Sequence, residues 1–242
     1  TQLISLKDRI TLLKKAGATS VEVIKFDKDF SVLTPDQFIE NILIGRFAAE
    51  HVVVGENFNF GFKAQGTPKY LSEVGPKYGF GVSIVKLQED KGSAISSSRI
   101  RNLIIDGQVE VANELLTRNF YLKGIVVHGE KRGREIGYPT ANIGLTNLAT
   151  IPADGVYAGW LSVGSERWPA AISIGTNPTF EGDRGRQVEA YALDQQGLDL
   201  YDKAASVEFG WYLRPTLKFN GLEELLVQMK KDCDEARRLT EV

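Results

Sequence analysis

The stretch from Gly124 to Ile143, GIVVHGEKRGREIGYPTANI, combines residue types suited to a phosphate-bearing ligand. Gly124 to Val127 reads as a short apolar strand, after which Gly129, Gly133 and Gly137 interleave with Lys131, Arg132 and Arg134. Glycines let backbone N–H groups approach phosphate oxygens closely, and the three cations offset the charge of a nucleotide triphosphate. Pro139 disfavours helix around it, so Pro139-Thr140-Ala141-Asn142 reads as extended, and the period of two places Thr140 and Asn142 on one side. A hydroxyl and an amide oxygen suit Mg²⁺, which takes few protein ligands and fills its remaining positions with water and substrate phosphates. Taken alone, the same residues also describe an ordinary Gly/Arg surface loop before a proline turn.

A carboxylate stands out further along. In Val188-Glu189-Ala190-Tyr191-Ala192-Leu193, alternation puts Glu189 on the face shared by Tyr191 and Leu193. A general base beside an aromatic binding surface has this composition, while position alone equally allows an exposed strand carboxylate paired with an arginine. Two earlier stretches carry binding chemistry. In Gly55 to Gly61, GENFNFG, Asn57 can hydrogen-bond and Phe58 can stack on a flat heterocycle; the plain alternative is an Asn/Gly loop with its rings in the core. In Ile95 to Arg101, ISSSRIR, the cluster Ser96, Ser97, Ser98 opens a helix whose free N–H groups and positive end attract phosphate. Arg99 and Arg101 add charge, but two residues apart on a helix they cannot project the same way.

The elements that must position these groups fall into two textures. Ser5 can cap a helix through Leu6, Ile10 and Leu13 that ends at Gly17, and a strand is predicted from Val21 to Phe26. Thr34-Pro35-Asp36-Gln37 is a capping box that opens a second helix. His51 to Val54 is a continuously apolar strand, expected to be covered on both faces, and a helix around Tyr70 to Val74 leads to a strand from Gly81 to Leu87. This alternation predicts a Rossmann-like α/β half with a parallel sheet. A helix from Gln108 to Arg118 links the halves, and from Tyr121 onward short strand runs are separated by Gly, Pro and Asp. Five runs are expected, Tyr121 to Val127, Val156 to Val163, Ala170 to Ile174, Val188 to Leu193 and Ala205 to Leu213, before an amphipathic helix from Gly221 to Leu239. An antiparallel barrel removes the exposed edges of so many short strands. The domains are therefore placed at residues 1–119 and 120–242.

GxxxHGxxxGxxxGYPTAN in the first stretch, GVYAG at Gly155 to Gly159, IGTNPTF at Ile174 to Phe180 and VEAYALD at Val188 to Asp194 closely resemble the riboflavin kinase module of the bacterial bifunctional riboflavin kinase/FMN adenylyltransferase family. The residues before about 120 resemble most of its adenylyltransferase module. The resemblance implies an incomplete α/β Rossmann-like nucleotidyltransferase domain followed by a six-stranded antiparallel Greek-key barrel with a C-terminal helix. It implies riboflavin, FMN and ATP as substrates, with Thr140 and Asn142 holding Mg²⁺ and Glu189 as the base. Gly129, Lys131, Arg132, Gly133, Arg134, Gly137 and Pro139 would surround the nucleotide. Asn57 and Phe58 would touch flavin, and the ISSxxIR turn would grip nucleotide phosphates. Two other readings fit parts of the pattern. A catalytically idle flavin- or nucleotide-binding regulator would keep the barrel and loop without needing Glu189, Thr140 and Asn142 together. An OB-like nucleic-acid barrel would spread basic and aromatic residues over one strand face.

Adenylyltransferase modules of that family carry a GxFDGxHxGH stretch on the first strand and helix, and none is present here. The histidines are His51 and His128, neither with an HxGH partner. With a first residue Thr1 and only three expected strands in the first half, the expectation is that N-terminal residues are missing and that an apolar sheet edge would invite self-association. A formal net charge of -2 gives no electrostatic reason to expect nucleic-acid or anionic-membrane binding. The single cysteine, Cys233, excludes an intrachain disulfide framework and fits a reducing cytoplasm. There is no run of eighteen apolar residues and no signal-like segment, so a membrane span is not expected.

Overall fold

The computed structural model describes residues 1–129, 133, 136–146, 148–175 and 186–240. By contacts the chain forms two compact units, one of Leu12–Ile95 and one of Thr1–Thr11 with Ser96–Val242.

Helix α1, Leu6–Lys15, is capped by Ser5, whose Oγ accepts the Asp8 N–H at 3.1 Å. In the unit of residues 12–95, short helices α2, Lys28–Ser31, and α3, Pro35–Phe38, follow. The Thr34–Gln37 capping box forms in both directions, and the chain continues from α3 as a wider helical turn over Ile39–Ile44. Strand β1, His51–Gly55, helix α4, Pro68–Tyr78, and strand β2, Gly81–Val85, form a parallel βαβ unit with His51 opposite Gly81 and Gly55 opposite Val85. Val52, Val54 and Val82 pack on a core of Ile39, Phe60, Leu71 and Phe80.

Two expectations for this unit are corrected. Residues 21–26 form no strand, and Phe26 is 77% exposed; β-prone side chains make a strand only where a neighbour completes the ladder, and the sheet here consists of β1 and β2. β1 is also not covered on both faces, because Val53, between the packed Val52 and Val54, is exposed. A hairpin of β3, Glu89–Asp90, and β4, Ser93–Ala94, turning at Lys91 and Gly92, has no counterpart in the expected elements.

In the other unit, α5, Ser97–Ile105, and α6, Val109–Leu116, precede the barrel. Helix α6 docks on the barrel rather than bridging to it. Glu110 Oε1 accepts the Tyr212 N–H at 2.9 Å, while the Asn113 amide accepts the Phe120 N–H at 2.7 Å and donates to the Phe209 carbonyl at 2.8 Å. The strands are β5, Phe120–Val127; β6, Ala141–Gly144; β7, Gly155–Val163; β8, Glu166–Gly175; β9, Gln187–Ala192; and β10, Ala204–Arg214. They close in the order β10-β5-β6-β9-β8-β7. The five expected runs are all strands. The sixth, β6, overlaps the Pro139-Thr140-Ala141-Asn142 segment, whose residues predict extended chain but no barrel strand of their own.

Alternation fills the barrel interior with Phe120, Val126, Leu161, Ile172, Val188 and Phe209, each under 2% exposed. Helix α7, Leu222–Thr240, lies on the outer face of β7, β8 and β10, and there Cys233 and Ala236 pack with Ala158, Leu193 and Tyr191. Among the described residues no helix is long and apolar enough to cross a membrane.

Candidate active site

The site is built from the seam between β6 and β9. Interior positions there are Ala141, Val188 and Ala190, so the intervening Glu189 and Asn142 point outward. Asn142 is directly opposite Glu189, and Ala141 opposite Ala190. Thr140 precedes the strand, and its hydroxyl donates to Glu189 Oε2 at 3.0 Å. The two proposed metal ligands and the proposed base therefore lie together, although Glu189 is 47 residues or more distant in sequence.

The glycine segment wraps this group where it is described. A Cβ on Gly129 would collide with the Asn142 amide, and one on Gly133 would collide with the Tyr138 carbonyl, so larger residues would displace the polar groups of the site. The Tyr138 N–H donates to the Gly133 carbonyl at 2.7 Å, closing the segment on itself, and Gly137 takes a left-handed φ of 86°. Pro139 sits on the rim of a cavity of about 540 Å³ that opens at the barrel end near Leu198 to Tyr201. Lys131, Arg132 and Arg134 lie outside the described residues, as does most of the Ile174 to Phe180 motif.

Two further cavities flank this seam. One, of about 330 Å³, lies between the outer barrel face and α7, with Thr140, Glu189 and Tyr191 on one wall and Phe219, Leu225 and Met229 on the other. Tyr138 and Tyr191 meet edge to face in it, ring centroids 5.3 Å apart. Burial raises the Tyr191 hydroxyl above its usual value and pushes the Cys233 thiol up to about 11, so both are neutral at physiological pH. The other cavity, of about 360 Å³, is lined by His128, Gly129, Asn142, Thr146, Arg186 and Gln187. Arg186 is held there by Asp154 at 2.6 Å.

The remaining sites fall elsewhere. In the unit of residues 12–95, Asn57 is exposed just after β1, and Phe58 stacks on the core residue Phe60 with centroids 5.5 Å apart, so this ring already has a protein partner. Ser96 caps α5, its Oγ accepting the Arg99 N–H at 3.2 Å, with Ser97 and Ser98 exposed in the first turn. Arg101 turns back to the Thr1 carbonyl at 3.0 Å. His51 meets Ser83 Oγ at 2.9 Å across β1 and β2, and His128 stacks on Tyr201 at 4.0 Å.

Sequence reasoning missed the outer wall of the α7 cavity and the ion pair of Arg214 with Asp232 that lines it as well. A signal was available. Asp232 falls on the stripe of α7 shared by Leu225, Met229 and Ala236, where a carboxylate requires a partner.

The closed barrel and its C-terminal helix are of the flavin-kinase class, since a family model for riboflavin kinase matches residues 116–240. A model for FAD synthetase matches residues 1–99. The chain is 38% identical to the bifunctional riboflavin kinase/FMN adenylyltransferase of Listeria monocytogenes, over 97% of its own length and 74% of that protein. Against the proteins of that name from Bacillus subtilis and Escherichia coli K12, identity is 38% and 34%, covering 96% and 98% of this chain and 73% and 75% of theirs. A crystal structure described as a macrolide-efflux protein from Streptococcus pneumoniae superposes with a TM-score of 0.87 at 33% identity, covering 97% of this chain and 75% of that one. The chain belongs to the bifunctional riboflavin kinase/FMN adenylyltransferase family, enzymes of flavin cofactor biosynthesis.

Proposed function

We propose that the barrel, assigned to residues 120–242, phosphorylates riboflavin to FMN with ATP, and that residues 1–119 bind the partners of FMN adenylylation to FAD. The observation that carries the kinase reading is the convergence of Thr140, Asn142 and Glu189 at the β6–β9 seam, with Thr140 and Glu189 lining one cavity and Asn142 another. The isoalloxazine ring lies in the cavity under α7, against Tyr138, Tyr191 and Phe219, and the triphosphate lies along the Gly129 to Gly137 segment with Lys131, Arg132 and Arg134.

Glu189 accepts the proton of the ribityl 5′-hydroxyl as that oxygen bonds to the γ-phosphorus and the bond to the bridging oxygen of ADP breaks. The Thr140 hydroxyl holds one carboxylate oxygen in place for this task. The hard oxygens of Thr140 and Asn142 suit Mg²⁺, which would neutralise phosphate charge. In the first module, Ser96 to Ser98 with Arg99 and Arg101 would hold nucleotide phosphate, and Asn57 with Phe58 would contact flavin. The substrates are small molecules, and the setting proposed is the cytoplasm.

The test is incubation with riboflavin, ATP and Mg²⁺, with FMN and FAD separated chromatographically. Mg²⁺-dependent FMN is expected, and its absence from a folded sample would overturn the reading.

A further inference from the structure

We propose that Arg214 and Asp232 form a clip that sets the outer wall of the cavity under α7 and thereby governs riboflavin affinity; this rests on assigning that cavity to the flavin. Arg214 ends β10, and Asp232 lies near the middle of α7. Arg214 Nε donates to Asp232 Oδ1 at 2.8 Å and Nη2 to Oδ2 at 2.7 Å, while Nη1 donates to the Pro215 carbonyl at 2.9 Å. Gln228 Nε2 adds a donor to Oδ1 at 2.9 Å. The two side chains are only 16% and 9% exposed, so the pair is largely desolvated.

The segment between these residues carries the outer wall. Leu217, Phe219, Leu225 and Met229 all line the cavity, and the Arg214 guanidinium sits 6.0 Å from the Phe219 ring centroid. The clip thus ties the two ends of the wall together, opposite Glu189 and Tyr191. A second tie, from Arg237 to Asp194 at 2.8 and 3.0 Å, joins the following turn of α7 to the turn just after β9.

A buried ion pair is often no more stabilising than an apolar pair of similar volume, but its planar two-bond fork permits one geometry where apolar contact permits sliding. Such a device on the apolar stripe of α7, beside a ligand cavity, fixes where Phe219 and Met229 stand. Arg214 and Asp232 are positioning residues, since neither is assigned a contact with the reacting atoms.

The experiment compares wild type, Arg214→Lys and the double variant Arg214→Met/Asp232→Leu. Riboflavin Kd is read by flavin fluorescence quenching, with KM for riboflavin and for ATP, kcat and the unfolding midpoint. Arg214→Lys is expected to raise riboflavin Kd and KM about tenfold and leave the ATP KM within about twofold, because preorganisation of one cavity is lost. The double variant, apolar on both sides, is expected to keep its unfolding midpoint and show the same loss of flavin affinity. Unchanged riboflavin Kd in both variants overturns the proposal, as does a loss that tracks the unfolding midpoint and raises both KM values equally. Wild type that turns over riboflavin while Phe219→Ala leaves riboflavin Kd unchanged removes the cavity assignment and the clip with it; wild type with no riboflavin binding at all removes the functional reading.

Discussion

The Thr140 hydroxyl and Glu189 Oε2, 3.0 Å apart, join the residue after Pro139 to the middle of β9. One oxygen of the carboxylate is thereby oriented by a neighbour that is also a proposed metal ligand, so orientation of the base and placement of the metal are coupled.

Replacing Glu189 with Gln keeps size and an acceptor for Thr140 but removes the base. Turnover is expected to fall by about two to four orders of magnitude, with riboflavin Kd changed far less. Steady-state kinetics together with fluorescence titration check this; a near-normal kcat would take Glu189 out of its role.

Asn142→Ala removes one proposed oxygen ligand while substrate phosphates still recruit the ion. The Mg²⁺ concentration for half-maximal rate should rise about tenfold. Gly129→Ala should act in the same direction, because its methyl group would displace the Asn142 amide. A Mg²⁺ titration that superposes on wild type for both variants would contradict the assignment.

Cys233 gives a pH signature. Its folded pKa of about 11 lies above the unfolded value, so its stabilising contribution is complete below about 9 and is lost as pH rises toward 11. Wild type should lose about 1 kcal/mol between pH 8 and 10 that Cys233→Ala does not lose. Urea unfolding of both proteins at the two pH values measures the difference, and parallel losses would show that the thiol is not the source.

The 242-residue polypeptide should make FMN readily and FAD slowly. His51 is engaged with Ser83 and His128 with Tyr201, so neither supplies the paired imidazoles of an HxGH site, and donors placed for a transition state contribute about a hundredfold or more each. Conversion of FMN and ATP to FAD at a rate comparable to the kinase step would show that another group does this work.

How much of this is legible in the residues depends on whether the signal is local. Glu189, Tyr191 and the inward alanines of β9 obey a strict period of two, and the barrel face of Glu189 follows from it. Ser96, Thr34 and Ser5 cap helices because the capping bond spans three residues. β6 is not legible, since the four residues Ala141–Gly144, so soon after Pro139 and ending in a glycine, give too short a run to read as a strand. The segment at residues 21–26 fails in the opposite sense, with strand-prone residues but no neighbour to pair with. The Arg214 to Asp232 pair is non-local, and only the odd placement of an aspartate on an apolar helical stripe announces it.

The junction of β6 with β9 rests on two residue pairs, Ala141 with Ala190 and Asn142 with Glu189. A slip of one residue there would turn Asn142 into the barrel and Ala141 out of it, while a slip of two would carry the amide about 7 Å along the strand, away from the carboxylate. Closure of the barrel and alignment of the reacting groups are thus a single event, and a molecule in which these strands have parted is at once open and inert. Amide exchange along β6 and β9 therefore doubles as a measure of the active fraction.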